Sequence, residues 1–395
     1  MSGTSLWVER VITPEETLER VRIRIDGGRI AELEGGTSPA PEDQVHEGAT
    51  LLPGLVDLQV NGGDGGAFAS EDPEEQRRAT DYHVRAGTTS FLATVVTSPI
   101  DVLEAALERL SRIATPEGPV VGTHLEGPFL ALEKAGAHSA AHLCQPSPEI
   151  LERLLAAGSG ALRMVTLAPE LPGARDAVER IAGAGIIASA GHSVATLKEI
   201  REAIEWGVSF MTHVGNASDW PTRPVDEALG FRVSEPGMVG TFLIERRLRG
   251  SVILDGLHLH PELAAAVVRL RGPENVALVS DATHAAGLPP GRYHRGGLDT
   301  VVHDSGYATT GKGLAGSVAP LLRGVQNAVR EAGLSLAEAT RMATLTPAQV
   351  LGIEDRKGRI AAGADADFLL LDADLELRSV YRRGLRVAGP ASSGR

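Results

Sequence analysis

The chain has 395 residues, 43 % of them hydrophobic, with a formal net charge of −13 and one cysteine. The negative charge disfavours nucleic acids and anionic membranes as partners, and a lone cysteine allows no disulfide within the chain and fits a reducing compartment. The N-terminus lacks the basic segment and apolar core of a signal peptide, and no apolar run reaches the roughly 20 residues of a membrane-spanning helix. We therefore expect a soluble, cytoplasmic protein without nucleic-acid or membrane partners.

Both ends of the chain have the alternating pattern of β-strands. Residues 21–26 alternate with period two, and a Gly-Gly turn leads into 29–33, which predicts a hairpin. Three strand-like stretches follow near the C-terminus, at 367–372, 375–380 and 385–387. We therefore predict a small domain of the β-sandwich type built from 1–52 and 355–395. Residues 53–354, between these two segments, have a different pattern and are predicted to form a second domain.

The middle of the chain alternates strand-like and helix-like segments. Eight apolar runs are predicted to be strands, at 54–60, 89–95, 119–125, 162–167, 186–190, 208–212, 250–254 and 275–280. Stretches rich in Ala, Leu, Glu and Arg, with helical spacing, lie between most of them. About eight βα units in about 300 residues are typical of a (β/α)8 TIM barrel, in which the C-terminal strand ends share one face. A doubly wound α/β sheet is the alternative, and it would spread these ends along a line.

Four of these runs end on a side chain suited to metal or acid–base chemistry. Glu126 follows the third predicted strand, and the others follow the fifth, sixth and eighth strands, namely His192, His213 and Asp281. Each residue alone has an ordinary explanation, such as a hydrogen-bonded carboxylate, a core histidine or a helix cap. In a barrel, however, all four converge on one face. One carboxylate and two imidazoles form a ligand set for Zn²⁺ that leaves a position for water, as in catalytic zinc sites.

This ligand set predicts hydrolytic chemistry. The metal would lower the pKa of its water toward ~7 and polarise a bound carbonyl. Asp281 could then act as general base toward that water and as general acid toward the leaving group. His124 lies two residues before Glu126 on the same side of the strand and is expected to support the site. Four other histidines are expected on the surface or in loops, namely His46, His83, His294 and His303.

Two further patterns could indicate ligand sites but have simpler explanations. Asp365 and Asp367 could bind a cation, yet their neighbours are typical of a solvated turn, which is our prediction. The glycine-rich loop at 61–66 follows the first barrel strand but lacks the Lys-Ser/Thr pair of a phosphate-binding loop. We interpret it as room for a ligand near the strand end, or as a turn.

A set of short motifs is spread over the chain. They are Leu-Pro-Gly-Leu-Val-Asp-Leu-Gln at 52–59, His-Leu-Glu-Gly-Pro-Phe at 124–129, Ala-Gly-His-Ser at 190–193, Asp-Gly-Leu-His at 255–258, Ser-Asp-Ala at 280–282 and Leu-Ala-Gly-Ser at 314–317. Together with 346–352 and 357–367, they resemble N-acetylglucosamine-6-phosphate deacetylase of the amidohydrolase superfamily, over about residues 50–372. The Leu-Pro-Gly-Leu-Val-Asp motif marks only the superfamily. Glu-Gly-Pro-Phe and its spacing to His138 are specific to the family.

The resemblance implies a metal-dependent deacetylase of N-acetylglucosamine 6-phosphate. Many amidohydrolases hold two metals and carry His-x-His at the end of the first strand, where this chain has Gln59 and Asn61. Neutral amides are poor Zn²⁺ ligands beside imidazole. We therefore expect one divalent metal per chain, held by Glu126, His192 and His213. Zn²⁺ fits these ligands best, and Fe²⁺, Mn²⁺ or Co²⁺ would also suit them.

The resemblance also implies roles for further residues. Asp281 would shuttle the proton, and His138 would touch the substrate and help to polarise the acetyl carbonyl. The other substrate-binding residues that it implies are Gln59, Asn61, Ala137, Asn216, Ala217, Arg232, His258, Leu314, Ala315 and Gly316. In the family the active unit is a dimer, in which an arginine that binds the substrate phosphate crosses the interface. We therefore expect a homodimer that acts on a small amino sugar.

The chain departs from the family at the phosphate-binding end of the site. The family's arginine directly before Glu-Pro-Gly is Ser234 here. Arg232 or Arg223 could replace it, because an arginine fork suits phosphate and loops can reposition. Two alternatives stay open: a deacetylase of an unphosphorylated N-acetyl sugar or other N-acyl amine, and a barrel that binds a sugar without chemistry.

Overall fold

A computed structural model describes residues 4–218, 236–295, 298–304, 306–311, 313–314 and 316–389. Four residues considered for the substrate end of the site lie outside these ranges, namely Arg223, Arg232, Ser234 and Ala315. None of the helices within the ranges has the length and apolar character needed to cross a bilayer.

The chain begins with four strands that belong to one sheet. They are β1 (Thr4–Ile12), β2 (Thr17–Asp26), β3 (Arg29–Glu34) and β4 (Asp43–Pro53). Val21, Ile23 and Ile25 all lie on the buried side of β2, as the period-two pattern predicts. β2 and β3 pair antiparallel and form the predicted hairpin. β4 then passes through Gly54 directly into the first barrel strand.

The first half of the barrel alternates strands and helices. Its elements are β5 (Leu55–Val60), the hairpin strands β6 (Gly62–Gly63) and β7 (Gly66–Ala67), α1 (Pro73–Arg85), β8 (Thr88–Val96), α2 (Ile100–Ile113), β9 (Val120–Glu126), α3 (Pro148–Ala157), β10 (Leu162–Leu167) and α4 (Ala174–Gly183). Two short 3-10 helices, Leu132–Lys134 and Ala140–His142, lie in the connection after β9.

The second half continues the alternation and adds a small antiparallel sheet. Its elements are β11 (Ile187–Ala190), α5 (Leu197–Trp206), β12 (Val208–Met211), α6 (Gly237–Ile244), β13 (Arg249–Ile253), α7 (Pro261–Arg271), β14 (Val276–Val279), β15 (Gly291–Arg295), β16 (Leu298–Val302), β17 (Ala308–Thr310), β18 (Gly313–Leu314), α8 (Leu321–Arg330), α9 (Leu336–Ala343) and α10 (Leu345–Leu351). Helix starts follow local chemistry; Thr196 and Glu199, for example, form a capping box on α5.

The eight barrel strands pair in parallel in the order β5-β8-β9-β10-β11-β12-β13-β14. A bridge between Val60 and Ala282 joins the first strand to the segment after the last strand and closes the ring. Every predicted barrel strand is confirmed to within one residue at each end. The doubly wound alternative is wrong, and the strand ends share one face.

Three C-terminal strands complete the separate sheet. They are β19 (Phe368–Leu371), β20 (Leu377–Arg382) and β21 (Leu385–Ala388), and the order of the sheet is β21-β20-β19-β4-β1-β2-β3. β4 and β19 pair antiparallel, so the sheet joins both ends of the chain. Its own core contains Leu6, Ile23, Leu51 and Phe368, all fully buried. The division of the chain at residues 52 and 355 stays a prediction.

The prediction of a solvated turn at Asp365 and Asp367 is wrong. Both carboxylates are buried, and the ammonium of Lys357 lies 2.9 Å from Asp365 and 2.7 Å from Asp367. Arg356 makes a further ion pair with Asp365. The turn composition was recognised correctly, but the turn packs against residues 28–30 of the β2–β3 hairpin rather than facing water. Lys357, eight residues before Asp365, neutralises the negative charge of the two buried carboxylates. The sequence alone did not identify this partner.

The prediction of a surface position for His83 is also wrong. Its side chain is fully buried at the end of α1, and its Nε2 lies 2.8 Å from the carbonyl oxygen of Gly62. The ring packs under the glycine-rich hairpin, where a Cβ on Gly63 would come within 3.0 Å of Nε2. The glycines of this loop therefore serve a tight turn against α1.

Candidate metal centre

Glu126, His192 and His213 converge at the C-terminal ends of three barrel strands. The Nε2 atoms of the two histidines lie 3.2 Å apart. The Oε1 atom of Glu126 lies 2.9 Å from Nε2 of His213 and 3.4 Å from Nε2 of His192. All three side chains are buried, and within the described ranges they are the group of ligand-type side chains close enough to share one ion. The predicted convergence is therefore present.

The backbone at the strand ends has an unusual conformation. His192, His213 and Asp281 each lie two residues after the last residue of β11, β12 and β14, with φ angles of 48°, 30° and 48°. This left-handed region is uncommon for residues other than glycine and concentrates at functional sites. Before His192, Gly191 leaves no room for a side chain, because a Cβ would lie 2.7 Å from a methyl of Thr166.

The donor set fits a divalent cation. Nδ1 of His192 lies 2.7 Å from the carbonyl oxygen of Lys134; because a carbonyl only accepts, Nδ1 carries the proton and Nε2 keeps its lone pair. Burial lowers the pKa of His192 to about 4, so the ring is neutral near pH 7, as a metal ligand must be. A cation at this point would separate two ring nitrogens that otherwise face each other.

The two amides at the end of the first strand hold carboxylates. Gln59 donates through Nε2 to Oε1 of Glu126 at 2.9 Å, and Asn61 donates through Nδ2 to Oδ1 of Asp281 at 2.7 Å. Both amides therefore act as hydrogen-bond donors to carboxylates of the site.

Asp281 is buried beside the cluster. Burial and the charge of Glu126 raise the pKa of Asp281 to about 6. A carboxylate with a pKa near neutrality can both accept and return a proton at physiological pH. Gly316 packs directly against this residue, because a Cβ there would collide with the backbone oxygen of Asp281.

His138 reaches the cluster from the connection after β9. Its Nε2 lies 3.6 Å from Oε2 of Glu126, and its ring centroid lies 4.5 Å from that of His192. Nδ1 lies 2.9 Å from Oγ1 of Thr97, a contact that fixes the orientation of the ring. Thr97 has no signal in the sequence, because a single threonine after an apolar strand is ordinary.

The remaining predicted residues were assigned to substrate binding, and the structure describes the surroundings of some of them. His258 pairs through Nδ1 with Oδ2 of Asp255 at 2.8 Å; against the effect of burial, this bond and the charge of His258 lower the pKa of Asp255 to about 2. Asn216 and Ala217 lie in the loop after β12, and Leu314 is 44 % exposed in β18. The substrate roles of these residues and of Ala137 stay predictions, and Arg232 and Ala315 lie outside the described residues.

A partly buried carboxylate and a buried histidine support the ligand histidines indirectly. Glu170 accepts hydrogen bonds at 2.7 Å from the hydroxyl of Ser193 and from the N–H of Val194, directly after His192. Glu170 was missed, although it is a carboxylate just beyond an apolar run, the pattern that identified Glu126. His124 lies 2.8 Å from the hydroxyl of Thr166, which in turn contacts Thr212, the residue before His213.

Comparisons with known proteins agree with this geometry. The model of the Amidohydrolase family matches residues 50–388. The chain is 37 % identical to N-acetylglucosamine-6-phosphate deacetylase of Bos taurus, over 93 % of this chain and 91 % of that protein. It is 33 % identical to N-acetylgalactosamine-6-phosphate deacetylase of Escherichia coli O157:H7, over 96 % and 98 %.

A solved structure extends the similarity to three dimensions. It is a mutant N-acetyl-D-glucosamine-6-phosphate deacetylase from Mycobacterium smegmatis in complex with N-acetyl-D-glucosamine-6-phosphate. The TM-score is 0.90 at 34 % identity, over 98 % of this chain and 100 % of that chain. This chain therefore belongs to the amidohydrolase family of hydrolases and, within it, to the N-acetylglucosamine-6-phosphate deacetylases.

Proposed function

We propose that this protein hydrolyses the amide bond of N-acetylglucosamine 6-phosphate, giving glucosamine 6-phosphate and acetate. The observation that carries the proposal is the convergence of Glu126, His192 and His213 on one point beside a buried aspartate whose pKa lies near neutrality. The substrate is inferred from the relatives, which are named N-acetylglucosamine-6-phosphate deacetylases. They match this chain over nearly their whole length.

Glu126, His192 and His213 are the residues that would hold one divalent metal, with Zn²⁺ the best fit to two imidazoles and a carboxylate. Such a metal, when bound, supplies Lewis acidity toward a water molecule and the acetyl carbonyl. Gln59 fixes the carboxylate of Glu126, and the carbonyl of Lys134 fixes the ring of His192. The ligands are thus held in place by the chain itself.

Asp281 is the residue that moves the proton in this proposal. It accepts a proton from the attacking water as the C–O bond forms, and it returns that proton to the sugar nitrogen as the C–N bond breaks. The amine leaves with its proton and the acetyl group leaves as acetate. His138 donates a hydrogen bond to the carbonyl oxygen as negative charge develops there, and Thr97 holds its ring in position.

The chain departs from the family at the phosphate-binding end of the site, because Ser234 stands where the family has a phosphate-binding arginine. This observation favours one second candidate, a deacetylase of an unphosphorylated N-acetyl sugar or another N-acyl amine. The similarity to an N-acetylgalactosamine-6-phosphate deacetylase adds the C4 epimer to the substrates worth measuring.

The proposal is tested by acetate release from three sugars, N-acetylglucosamine 6-phosphate, its C4 epimer and unphosphorylated N-acetylglucosamine. We expect the highest kcat/KM with the first. A loss of less than about 10-fold without the phosphate, about 1.4 kcal/mol, would favour the second candidate. Asp281→Asn should abolish acetate release, whereas Asp374→Asn, at an exposed position, should not change it. Full activity in Asp281→Asn would contradict the assigned role.

We further propose that the active unit is a homodimer, as the resemblance implies. Sedimentation velocity of the purified chain would test this, and a monomer with full activity would contradict it.

A further inference from the structure

Asp57 is a buried carboxyl group inside the barrel for which the reaction above has no use. It lies in the middle of β5, its residue is fully buried, and its strand neighbours Val56 and Leu58 are apolar. A carboxyl group at such a position costs free energy unless it meets hydrogen-bond donors. Its donors are backbone N–H groups, those of Gln59 at 3.1 Å and of Ser280 at 3.2 Å.

These donors lie at the seam of the barrel. β5 and β14 are the two end members of the hydrogen-bonded strand order, and in the described part of the chain they meet through a bridge of Val60 with Ala282. Both carboxylate oxygens of Asp57 lie 3.2 Å from the N–H of Ser280. The side chain of Asp57 therefore accepts a hydrogen bond from the backbone N–H of the first residue after β14.

Both donors adjoin residues of the candidate site. Ser280 directly precedes Asp281, whose backbone is held at a φ of 48°, and Gln59 is the residue whose amide fixes Glu126. The backbone of Asn61 also donates to the carbonyl of Ala282, at 2.8 Å, on the other side of Asp281. The residues on both sides of Asp281 are thus held by hydrogen bonds to the first strand region. Asp57 accepts the bond from Ser280, the residue before Asp281.

We propose that Asp57 is a positioning residue for the hydrolysis: it closes the seam between the first and last strands so that Asp281 faces the metal ligands. The inference rests on the proposed function, because positioning has meaning only if Asp281 carries the proton. Asp57 does not contact the substrate in this proposal, so its loss should affect turnover more than substrate binding.

Two variants test this role. Asp57→Ala deletes the acceptor, and Asp57→Asn keeps one acceptor oxygen in nearly the same shape. Ser90→Ala is the matched control, because Ser90 is fully buried on the neighbouring strand β8 and its hydroxyl has no partner. For each variant, kcat, KM, metal content and the urea unfolding midpoint are measured.

We expect kcat of Asp57→Ala to fall by about 100-fold, because small displacements of a reacting group have large effects on rate. KM should stay within about 3-fold and the metal content at one ion per chain, which separates positioning from lost binding. Asp57→Asn should retain more activity than Asp57→Ala, and Ser90→Ala should match the parent. A folded, metal-loaded Asp57→Ala with kcat within about 3-fold of the parent would overturn the proposal. So would failure of both variants to fold, since Asp57 would then serve fold stability alone.

A structural measurement keeps this test independent of the substrate. A crystal structure of Asp57→Ala should show the carboxylate of Asp281 displaced from the amide of Asn61, with which it is in contact at 2.7 Å in the parent. An unchanged contact would overturn the positioning role, even in a protein that releases no acetate. Absence of acetate release by the parent would instead contradict the proposed function.

Discussion

Asn61 donates a hydrogen bond from its side-chain amide to the carboxylate of Asp281 across 2.7 Å, joining the end of the first barrel strand to the end of the last. Gln59 makes the equivalent bond to Glu126 at 2.9 Å. The two amides thus stabilise the negative charge of two buried carboxylates. This arrangement makes the protonation of Asp281 sensitive to Asn61.

Replacing Asn61 should change the pH dependence of the reaction. Asn61→Leu keeps the approximate volume and removes the donor, and because the bond from Asn61 lowers the pKa of Asp281, its loss should raise that pKa above about 6. The proton-accepting form is then lost at a higher pH, so the acidic limb of kcat/KM against pH should move upward, by up to about one unit. A profile that falls uniformly without moving along the pH axis would contradict this role.

Metal binding should stabilise the fold through the three ligands. A ligand that binds only the folded state, at 100 times its Kd, contributes about 2.7 kcal/mol. After chelation, adding Zn²⁺ should therefore raise the unfolding midpoint of the parent but not that of His213→Ala or Glu126→Gln. His294→Ala is the control, because this side chain is 69 % exposed in the β15–β16 hairpin, and it should respond as the parent does. Elemental analysis that finds two ions per chain would contradict the single site.

The sequence was sufficient for the barrel because its strands are apolar runs bounded by breaks in the pattern. The ligands could be found because a parallel barrel gathers its strand ends, so Glu126, His192 and His213 needed no neighbours in sequence to meet. Thr97 was not predictable, because its contact with His138 depends on the path of the connection after β9.

The burial of several polar side chains could not be predicted from the sequence. α1 has few apolar residues, and its buried side includes Gln76 and His83, so no hydrophobic period marks the inner face. Asp365 and Asp367 have the composition of an exposed turn, and the three-dimensional positions of Lys357 and Arg356 explain their burial. Pattern-based reasoning assumes that polar residues face water, and it fails where a buried partner satisfies them.

Removing the ammonium of Lys357 should strongly destabilise the protein. Lys357→Met keeps the aliphatic stem; Asp365 retains Arg356, but the buried Asp367 loses its ion pair, and an uncompensated buried charge costs about 3–5 kcal/mol. Lys198→Met is the matched control, because Lys198 is 85 % exposed and pairs with Glu202 on the surface of α5; exposed pairs contribute about 0–1 kcal/mol. The urea midpoints of both variants measure the difference. Equal midpoints would show that the buried lysine has no special role.

His83 should make the stability of the protein depend on pH. Burial lowers the pKa of His83 to about 4, from an ordinary value of 6.5. The unfolded chain therefore takes up this proton first as the pH falls, so the contribution of neutral His83 is present above pH 6.5 and is lost progressively toward pH 4. Between pH 7 and pH 5, a single such group changes the free energy of unfolding by about 2 kcal/mol.

His83→Gln isolates this contribution, because glutamine does not titrate and retains a side-chain N–H for the carbonyl of Gly62. We expect the variant to lose less stability than the parent between pH 7 and pH 5, by about that 2 kcal/mol, as measured by urea unfolding at each pH. His142→Gln serves as the control, because His142 is exposed in a 3-10 helix, and its pH dependence should follow that of the parent. Since His124 and His192 are also buried with a pKa of about 4, part of the pH dependence must remain in His83→Gln. A variant whose stability falls as steeply as that of the parent would mean that His83 is protonated, or solvated, in the folded protein.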